Sequence, residues 1–296
     1  MRVLNFGSLN LDYVYQVDHF VQPGETLSST SRAVKHGGKG LNQSVALARA
    51  GANVSHAGCI GAGGESLKAL LEAEGVDTSK LMSVEEMQGH TVIQVNRDGE
   101  NCILLYGGSN QCVTPAQIAD TFADYAAGDW LVLQNEVNNL PAIVDAAHAK
   151  GMVIALNPSP YDAKLDAVDF GKLSWLLVNE VEAGQISGSD DPEAAWAWLH
   201  ARYPRLNVLI TLGSAGSVAY RVSDGAVETV RQSAFRVKAV DTTAAGDTFT
   251  GYFISGLMAG LPLQECMRRA SKASAISVTR LGAADSIPRL QDIDEI

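Results

Sequence analysis

The chain has 296 residues, 46% of them hydrophobic and 19% charged, a balance that suits a folded globular protein with a large core and excludes a disordered chain. Its formal charge of −11, from 22 Lys and Arg against 33 Asp and Glu, lacks the basic footprint of a nucleic-acid binder, so no nucleic-acid partner is expected. No stretch is apolar for long enough to cross a bilayer, and no membrane association is expected.

Val3–Phe6 reads as a buried strand running into a turn and not as a signal peptide. The polar Ser8-Leu9-Asn10-Leu11-Asp12 follows, then β-rich stretches at 13–17 and 27–34, a helix at 39–50 and a strand at 54–60. Strands at 91–96 and 102–106 flank Arg97-Asp98-Gly99-Glu100-Asn101, whose Asp-Gly marks a hairpin turn. Further on, continuous apolar runs at 130–134, 152–156, 175–178 and 208–211 alternate with helical patterns such as 140–150. That alternation is the signature of a parallel sheet covered on both faces, since such strands need no polar side. A hairpin at 217–222 and 226–232 turns at Asp224-Gly225, and helices at 246–259 and 263–279 close the chain. The expectation is α/β: a doubly wound, mostly parallel central sheet flanked by helices, in one domain over 1–296. A small antiparallel sheet from about 12–34 and 90–107 is expected to form a lid.

Four cysteines (Cys59, Cys102, Cys112, Cys266) show no CxxC spacing and read as small core residues in a reducing cytoplasm. Six histidines form no HxxxH or HExxH pair, so a histidine metal site is not expected.

The strongest chemical signal is Asp241-Thr242-Thr243-Ala244-Ala245-Gly246-Asp247-Thr248-Phe249, which runs from a β-like stretch into a helix. Small residues at Ala244, Ala245 and Gly246 leave the first helical N–H groups uncovered, and those amides with the helix dipole make an anion site. Asp247 in that first turn is a candidate base; an isolated Asp there would more often merely stabilise the helix. The second signal, His36-Gly37-Gly38-Lys39-Gly40-Leu41-Asn42-Gln43, opens a helix with glycines that let the backbone approach a ligand. It is not a Walker A loop, because Gly40 stands where Ser or Thr would follow the lysine. Asn10 and Asp12 alternate and offer donors and acceptors to a polyol, although alone they would read as an Asx turn. Gln134-Asn135-Glu136, Asn179-Glu180-Val181-Glu182 and Thr211-Leu212-Gly213-Ser214-Ala215-Gly216 each close an apolar strand.

Together these segments resemble the ribokinase branch of the PfkB sugar-kinase family, from Gly7-Ser8-Leu9-Asn10-Leu11-Asp12 to Gly282-Ala283-Ala284-Asp285-Ser286. Both family signatures stand here, Gly37 to Gln43 and Asp241 to Phe249. The resemblance implies a kinase moving the γ-phosphoryl group of ATP to a sugar hydroxyl, with D-ribose first and fructose, deoxyribose or a ribonucleoside as alternatives. A catalytically silent sugar sensor is the reading of another class. By the same resemblance Asp247 would be the base, with amides of Ala244, Ala245, Gly246 and Asp247 as anion hole. Asn10, Asp12, Gly38, Lys39, Asn42 and Glu136 would bind the sugar. Asn179 and Glu182 would organise Mg²⁺ and phosphates, with Thr211, Gly213, Gly216 and Gly246 on the nucleotide side. Asp241, Thr243, Ser277, Arg280, Gly282 and Ser286 would surround K⁺, mostly through carbonyls, and a homodimer would form through the lid. One departure is the shortened loop at 58–65, which lacks the aspartates usual there and is expected to lie on the lid and sugar side.

Overall fold

The computed structural model of the protein describes residues 1–294. Its strands are β1 (Val3–Phe6), β2 (Asn10–Gln16), β3 (Ser31–Gly37), β4 (Val54–Ala62), β5 (Asp77–Met87), β6 (His90–Val95), β7 (Asn101–Tyr106), β8 (Trp130–Gln134), β9 (Val153–Asn157), β10 (Trp175–Asn179), β11 (Asn207–Thr211), β12 (Ser217–Ser223) and β13 (Ala226–Gln232). Its helices are α1 (Lys39–Arg49), α2 (Glu65–Ala73), α3 (Pro115–Ala123), α4 (Leu140–Ala149), α5 (Glu180–Ser187), α6 (Pro192–Arg202), α7 (Ala245–Met258), α8 (Leu263–Ser277) and α9 (Leu290–Asp294).

Among the described residues one sheet has nine strands in the order β13-β12-β11-β10-β9-β8-β1-β4-β5, parallel from β5 to β11 with β12 and β13 antiparallel at one edge. Neighbouring residues on a strand feed opposite cores. Val3 and Val132 pack with Leu41 and Val45 of α1 and Phe249 and Phe253 of α7. Leu4 and Leu131 pack with Phe122 of α3 and Ile143 of α4. Both faces are therefore apolar, which is why these strands read as unbroken hydrophobic runs.

The chain leaves β1 toward β4 and β5 on one side and later fills the other side from β8 onward. The β1/β8 junction is thus the place where strand order reverses, and a crevice opens there at the carboxyl ends of the strands.

A second sheet holds β3-β2-β6-β7. It is not wholly antiparallel as expected: β2 and β6 pair in parallel, because two excursions far apart in sequence contribute the central strands. The Asn10-Leu11-Asp12 segment, open to a turn reading in the sequence, belongs to β2, where Asn10 pairs with Gly37. The strand expected at 27–34 starts only at Ser31, because β2 offers partners no further than Gln16. Asp224 and Gly225, both at positive φ, make the two-residue turn between β12 and β13. No helix among the described residues is long and apolar enough to cross a membrane. The cysteines divide: Cys59 and Cys266 are buried, Cys112 is half-buried, and Cys102 is exposed on β7, contrary to a core role for all four.

Candidate active site

The start of α1 is clamped against the exit of β1. Gly38 sits at φ 92°, a region that disfavours any side chain, and a Cβ on Gly40 would lie 2.3 Å from the Ser8 nitrogen. Those two glycines let Leu41 N–H donate to the Ser8 carbonyl at 2.9 Å and Gly40 N–H donate to Ser8 Oγ at 3.2 Å. Ser8 Oγ in turn donates to Glu136 Oε2, which also accepts the Lys39 backbone N–H at 3.0 Å. Ser8 follows β1 and Glu136 follows β8, so this brace spans the switch point.

Asp247 sits in the first turn of α7, buried, behind an N-cap at Ala244 in the left-handed region (φ 60°). Its Oδ2 accepts from Asn42 Nδ2 at 3.0 Å and its Oδ1 from Gln43 Nε2 at 2.9 Å. Ala245 N–H already reaches the Thr242 carbonyl at 3.3 Å. The amides of Gly246 and Asp247, with no partner among the described residues, are the bare end of the helix. Of the expected run from Ala244 to Asp247, only the Ala245 amide is engaged; the Ala244 amide, like those of Gly246 and Asp247, has no hydrogen-bond partner among the described residues.

Asp247 borders two clefts. The larger, about 640 Å³, is also lined by Asn10, Asp12, Gly38, Lys39, Asn42 and Glu136, so the structure brings every expected sugar-side residue to one cavity. Its roof is the second sheet, through Val14, Ile93, Val95, Ile103 and Leu105. Asp12 Oδ1 accepts from Thr91 Oγ1 at 2.6 Å; burial raises the Asp12 pKa despite that bond and the nearby Lys35 and His36 charges. Burial likewise raises Glu136, outweighing Lys39 and the Ser8 hydroxyl. For Lys39 burial acts against the charge, but the carboxylates of Asp247, Glu136 and Glu182 together prevail and raise its pKa, which keeps it an ammonium.

The smaller cleft, about 220 Å³, lies over the ends of β9, β10 and β11 and is lined by Asn179, Glu182, Thr211 and the Ala244–Asp247 turn. Asn179 and Glu182 form a capping box on α5: Asn179 Oδ1 accepts Glu182 N–H at 2.8 Å, and Glu182 Oε2 accepts Asn179 N–H at 3.1 Å. Their first task is structural, and Glu182 Oε1 remains without a partner among the described residues. Gly213 and Gly216 shape the turn from β11 to β12 and line neither cleft.

Asp241, Thr243 and Gly282 border the larger cleft. Asp241 Oδ1 accepts from Thr243 N–H at 2.9 Å and from Thr243 Oγ1 at 2.6 Å, and Oδ2 accepts from Gly282 N–H at 3.0 Å. Burial opposes its charge, but these bonds outweigh burial and hold its pKa below the usual 3.8. Ser277, Arg280 and Ser286 line neither cleft. The Ser277 carbonyl accepts Arg280 N–H at 3.0 Å, the Arg280 guanidinium turns away to Asp292, and Ser286 Oγ donates to the Ala283 carbonyl.

Residues 58–65, expected as a loop, are mostly strand: 58–62 belong to β4, and only Gly63 and Gly64 separate it from α2. None of them lines either cleft, so the segment sits further from the cavity than expected. Gln88 pins it instead, accepting Gly61 N–H at 3.0 Å and donating to the Leu9 carbonyl at 2.6 Å. Sequence reasoning assigned no role to Gln43, Thr91 or Asn110. Gln43 stands inside the glycine motif, where its polarity amid a buried helix face was a usable signal; Thr91 and Asn110 carry none.

Residues 2–290 match the model of the pfkB family carbohydrate kinases. A ribokinase of Haemophilus influenzae is 36% identical, with 97% of this chain and 95% of that protein covered. A Staphylococcus aureus ribokinase is 34% identical over 100% of this chain and 99% of that one. Among solved structures, the ribokinase of Cryptococcus neoformans in complex with ADP has a TM-score of 0.83 at 37% identity, covering 99% of each chain. The Arabidopsis thaliana ribokinase complexed with ribose and ATP has a TM-score of 0.87 at 25% identity, covering 99% of this chain and 97% of that one.

Proposed function

Because the chain belongs to the pfkB family of carbohydrate kinases, we propose that it transfers the γ-phosphoryl group of ATP to the 5-hydroxyl of D-ribose. It is a phosphotransferase with an alcohol acceptor. The observation that carries the reading is the place of Asp247, in the wall shared by a cavity lined with the polar side chains of Asn10, Asp12, Lys39, Asn42 and Glu136 and a cleft capped by bare helix amides.

In this reading Asp247 takes the proton of the attacking hydroxyl. The amides of Gly246 and Asp247, the α7 dipole and the Lys39 ammonium stabilise charge on the migrating phosphoryl, so the protein supplies position and electrostatics. Asn10, Asp12, Gly38, Asn42 and Glu136 hold the sugar, and Thr211 borders the nucleotide. Glu182, through its remaining oxygen, and Asn179 would meet Mg²⁺ carried in with ATP; the ion supplies further charge neutralisation on the phosphates. The second sheet acts as the lid, its apolar roof excluding water that would otherwise compete as acceptor.

The loop residues fit a potassium ion. Asp241 supplies a negative charge fixed in place by its bonds to Thr243 and Gly282, and the Arg280 guanidinium, tied to Asp292, is turned away from it. Asp241, Thr243, Ser277, Arg280, Gly282 and Ser286 would hold it, and it would steady the turn that presents the amide nest. A homodimer through the lid is supported by β7, an edge strand exposed along its length, with Leu104 72% exposed. Cysteines scattered without a pairing pattern support a cytoplasmic location.

The test is a panel of sugars and nucleosides in a coupled ADP-release assay, run with and without K⁺. Ribose is expected to be the best acceptor. No turnover of ribose, with a nucleoside phosphorylated well, would overturn the assignment.

A further inference from the structure

Asn110 lies just beyond β7, buried, and lines neither cleft. Its Oδ1 accepts Leu9 N–H at 2.9 Å, and its Nδ2 donates to the Leu9 carbonyl at 3.1 Å and to Asn10 Oδ1 at 2.7 Å. A backbone N–H only donates and a carbonyl only accepts, so Leu9 dictates which way the Asn110 amide faces. Asn110 in turn dictates Asn10: the Asn10 oxygen is turned inward onto a donor. Asn10 Nδ2, without a partner among the described residues, is left to the larger cleft that Asn10 borders. The packing leaves no slack around this contact. A Cβ on Gly89 would lie 2.2 Å from Asn110 Nδ2 and 2.7 Å from Asn10 Oδ1.

We infer that Asn110 is a specificity-determining positioning residue that fixes Asn10 as a hydrogen-bond donor toward the substrate. Two residues along β2, on the same face, Asp12 presents an acceptor. A donor at Asn10 beside an acceptor at Asp12 selects a ligand with neighbouring hydroxyls, one accepting from Asn10 and one donating to Asp12. A deoxy analogue leaves one of these buried groups unpaired, and a site built to bond a hydroxyl rejects the analogue lacking it. Were Asn10 free to flip, it would offer either atom, and that selection would relax. The inference rests on the sugar-kinase reading of the cavity and adds the polarity of its recognition.

The experiment compares kcat/KM for D-ribose and 2-deoxy-D-ribose in the wild type, Asn110→Ala, Asn10→Ala and the double variant, with KM for ATP as a control. In Asn110→Ala the ribose preference is expected to fall at least about tenfold, through the KM of ribose and not that of ATP. In the Asn10→Ala background the same substitution is expected to change the preference no further, because Asn110 acts through Asn10. Equal losses for both sugars, or an effect of Asn110→Ala that adds to that of Asn10→Ala, would overturn the inference. If Asn110→Ala does not fold, the isosteric Asn110→Asp, which cannot donate to Asn10 Oδ1, carries the same comparison. A wild type inactive on ribose removes the ribose assignment but not this one. The comparison then uses the polyol the wild type does phosphorylate and its deoxy analogue, with the same deciding outcomes.

Discussion

Gln43 Nε2 lies 2.9 Å from Asp247 Oδ1, and nothing local to either residue sets that contact. Gln134 Nε2 donates to both Gln43 Oε1 at 2.7 Å and Asn5 Oδ1 at 2.9 Å, so the Gln43 oxygen faces the sheet and its nitrogen faces the carboxylate. The orientation of the base is thus fixed from β1 and β8, through α1. A hydrogen bond to a charged group contributes about 1.5–3 kcal/mol, or about 10–100-fold in rate if it is felt mainly in the transition state. Gln43→Leu is expected to lower kcat within that range with KM for ATP little changed. Steady-state kinetics giving kcat within twofold of wild type would show that Asn42 alone suffices.

Removing the base itself is a sharper change. Asp247→Asn keeps the shape of the turn and the cleft walls but cannot take the hydroxyl proton. Turnover is expected to fall by about 10²–10⁴-fold, the usual contribution of general-base catalysis, while calorimetric affinity for ribose stays near the wild-type value. Near-normal turnover would mean that another group accepts the proton. A silent sugar sensor, by contrast, would show no turnover to lose.

These two residues also mark how far the sequence could be read. Asp247 and the glycines before α1 were legible because anion sites and close backbone approach demand particular residue types at local spacing. The parallel strands from β8 to β11 were legible because both faces are buried. β5 was not: at the sheet edge it runs Asp77-Thr78-Ser79-Lys80-Leu81, mixed in polarity, with an irregular register against β4. α6 was missed because Trp196 and Trp198 spread apolar surface around the helix instead of along one stripe. Asn110 meets Asn10 across 100 residues, a contact with no periodic trace. Asn179 and Glu182 were read as ligand groups although Asn-x-x-Glu before a helix also spells a capping box, and the structure shows that box.

The polar layer beneath α1 carries a pH signature. His56 is fully buried, with Nε2 donating to the Gly7 carbonyl at 3.2 Å and Nδ1 accepting from Ser44 Oγ at 2.8 Å. Burial pushes its pKa down from 6.5 to about 4, with the Gly7 bond opposing more weakly. The folded protein therefore holds His56 neutral where the unfolded chain binds a proton. Stability from this group is fully present above 6.5, erodes as pH falls below it, and is gone below about 4. The full difference is about 3 kcal/mol. Urea unfolding at several pH values between these limits is expected to show this decline in the wild type. In His56→Phe, less stable at neutral pH because Ser44 and Gly7 lose their partner, the profile is expected to be flatter. Parallel profiles would show that acid sensitivity arises elsewhere.

Asp241 offers a test of the cation separate from catalysis. Its carboxylate ties Thr243, two residues along the turn, to Gly282 on the loop after α8, and so fixes the segment leading to the amide nest. If K⁺ sits among the neighbouring carbonyls, it strengthens that tie and stabilises the folded state by mass action, by about 2.7 kcal/mol at one hundred times its dissociation constant. The wild type is expected to melt higher in KCl than in NaCl of equal ionic strength, and to turn over faster. Asp241→Asn keeps an acceptor for Thr243 but removes the charge, so the melting difference between the two salts should shrink together with the activation. Equal melting of the wild type in both salts would leave the loop held by protein hydrogen bonds alone, with Asp241 as a purely structural anchor.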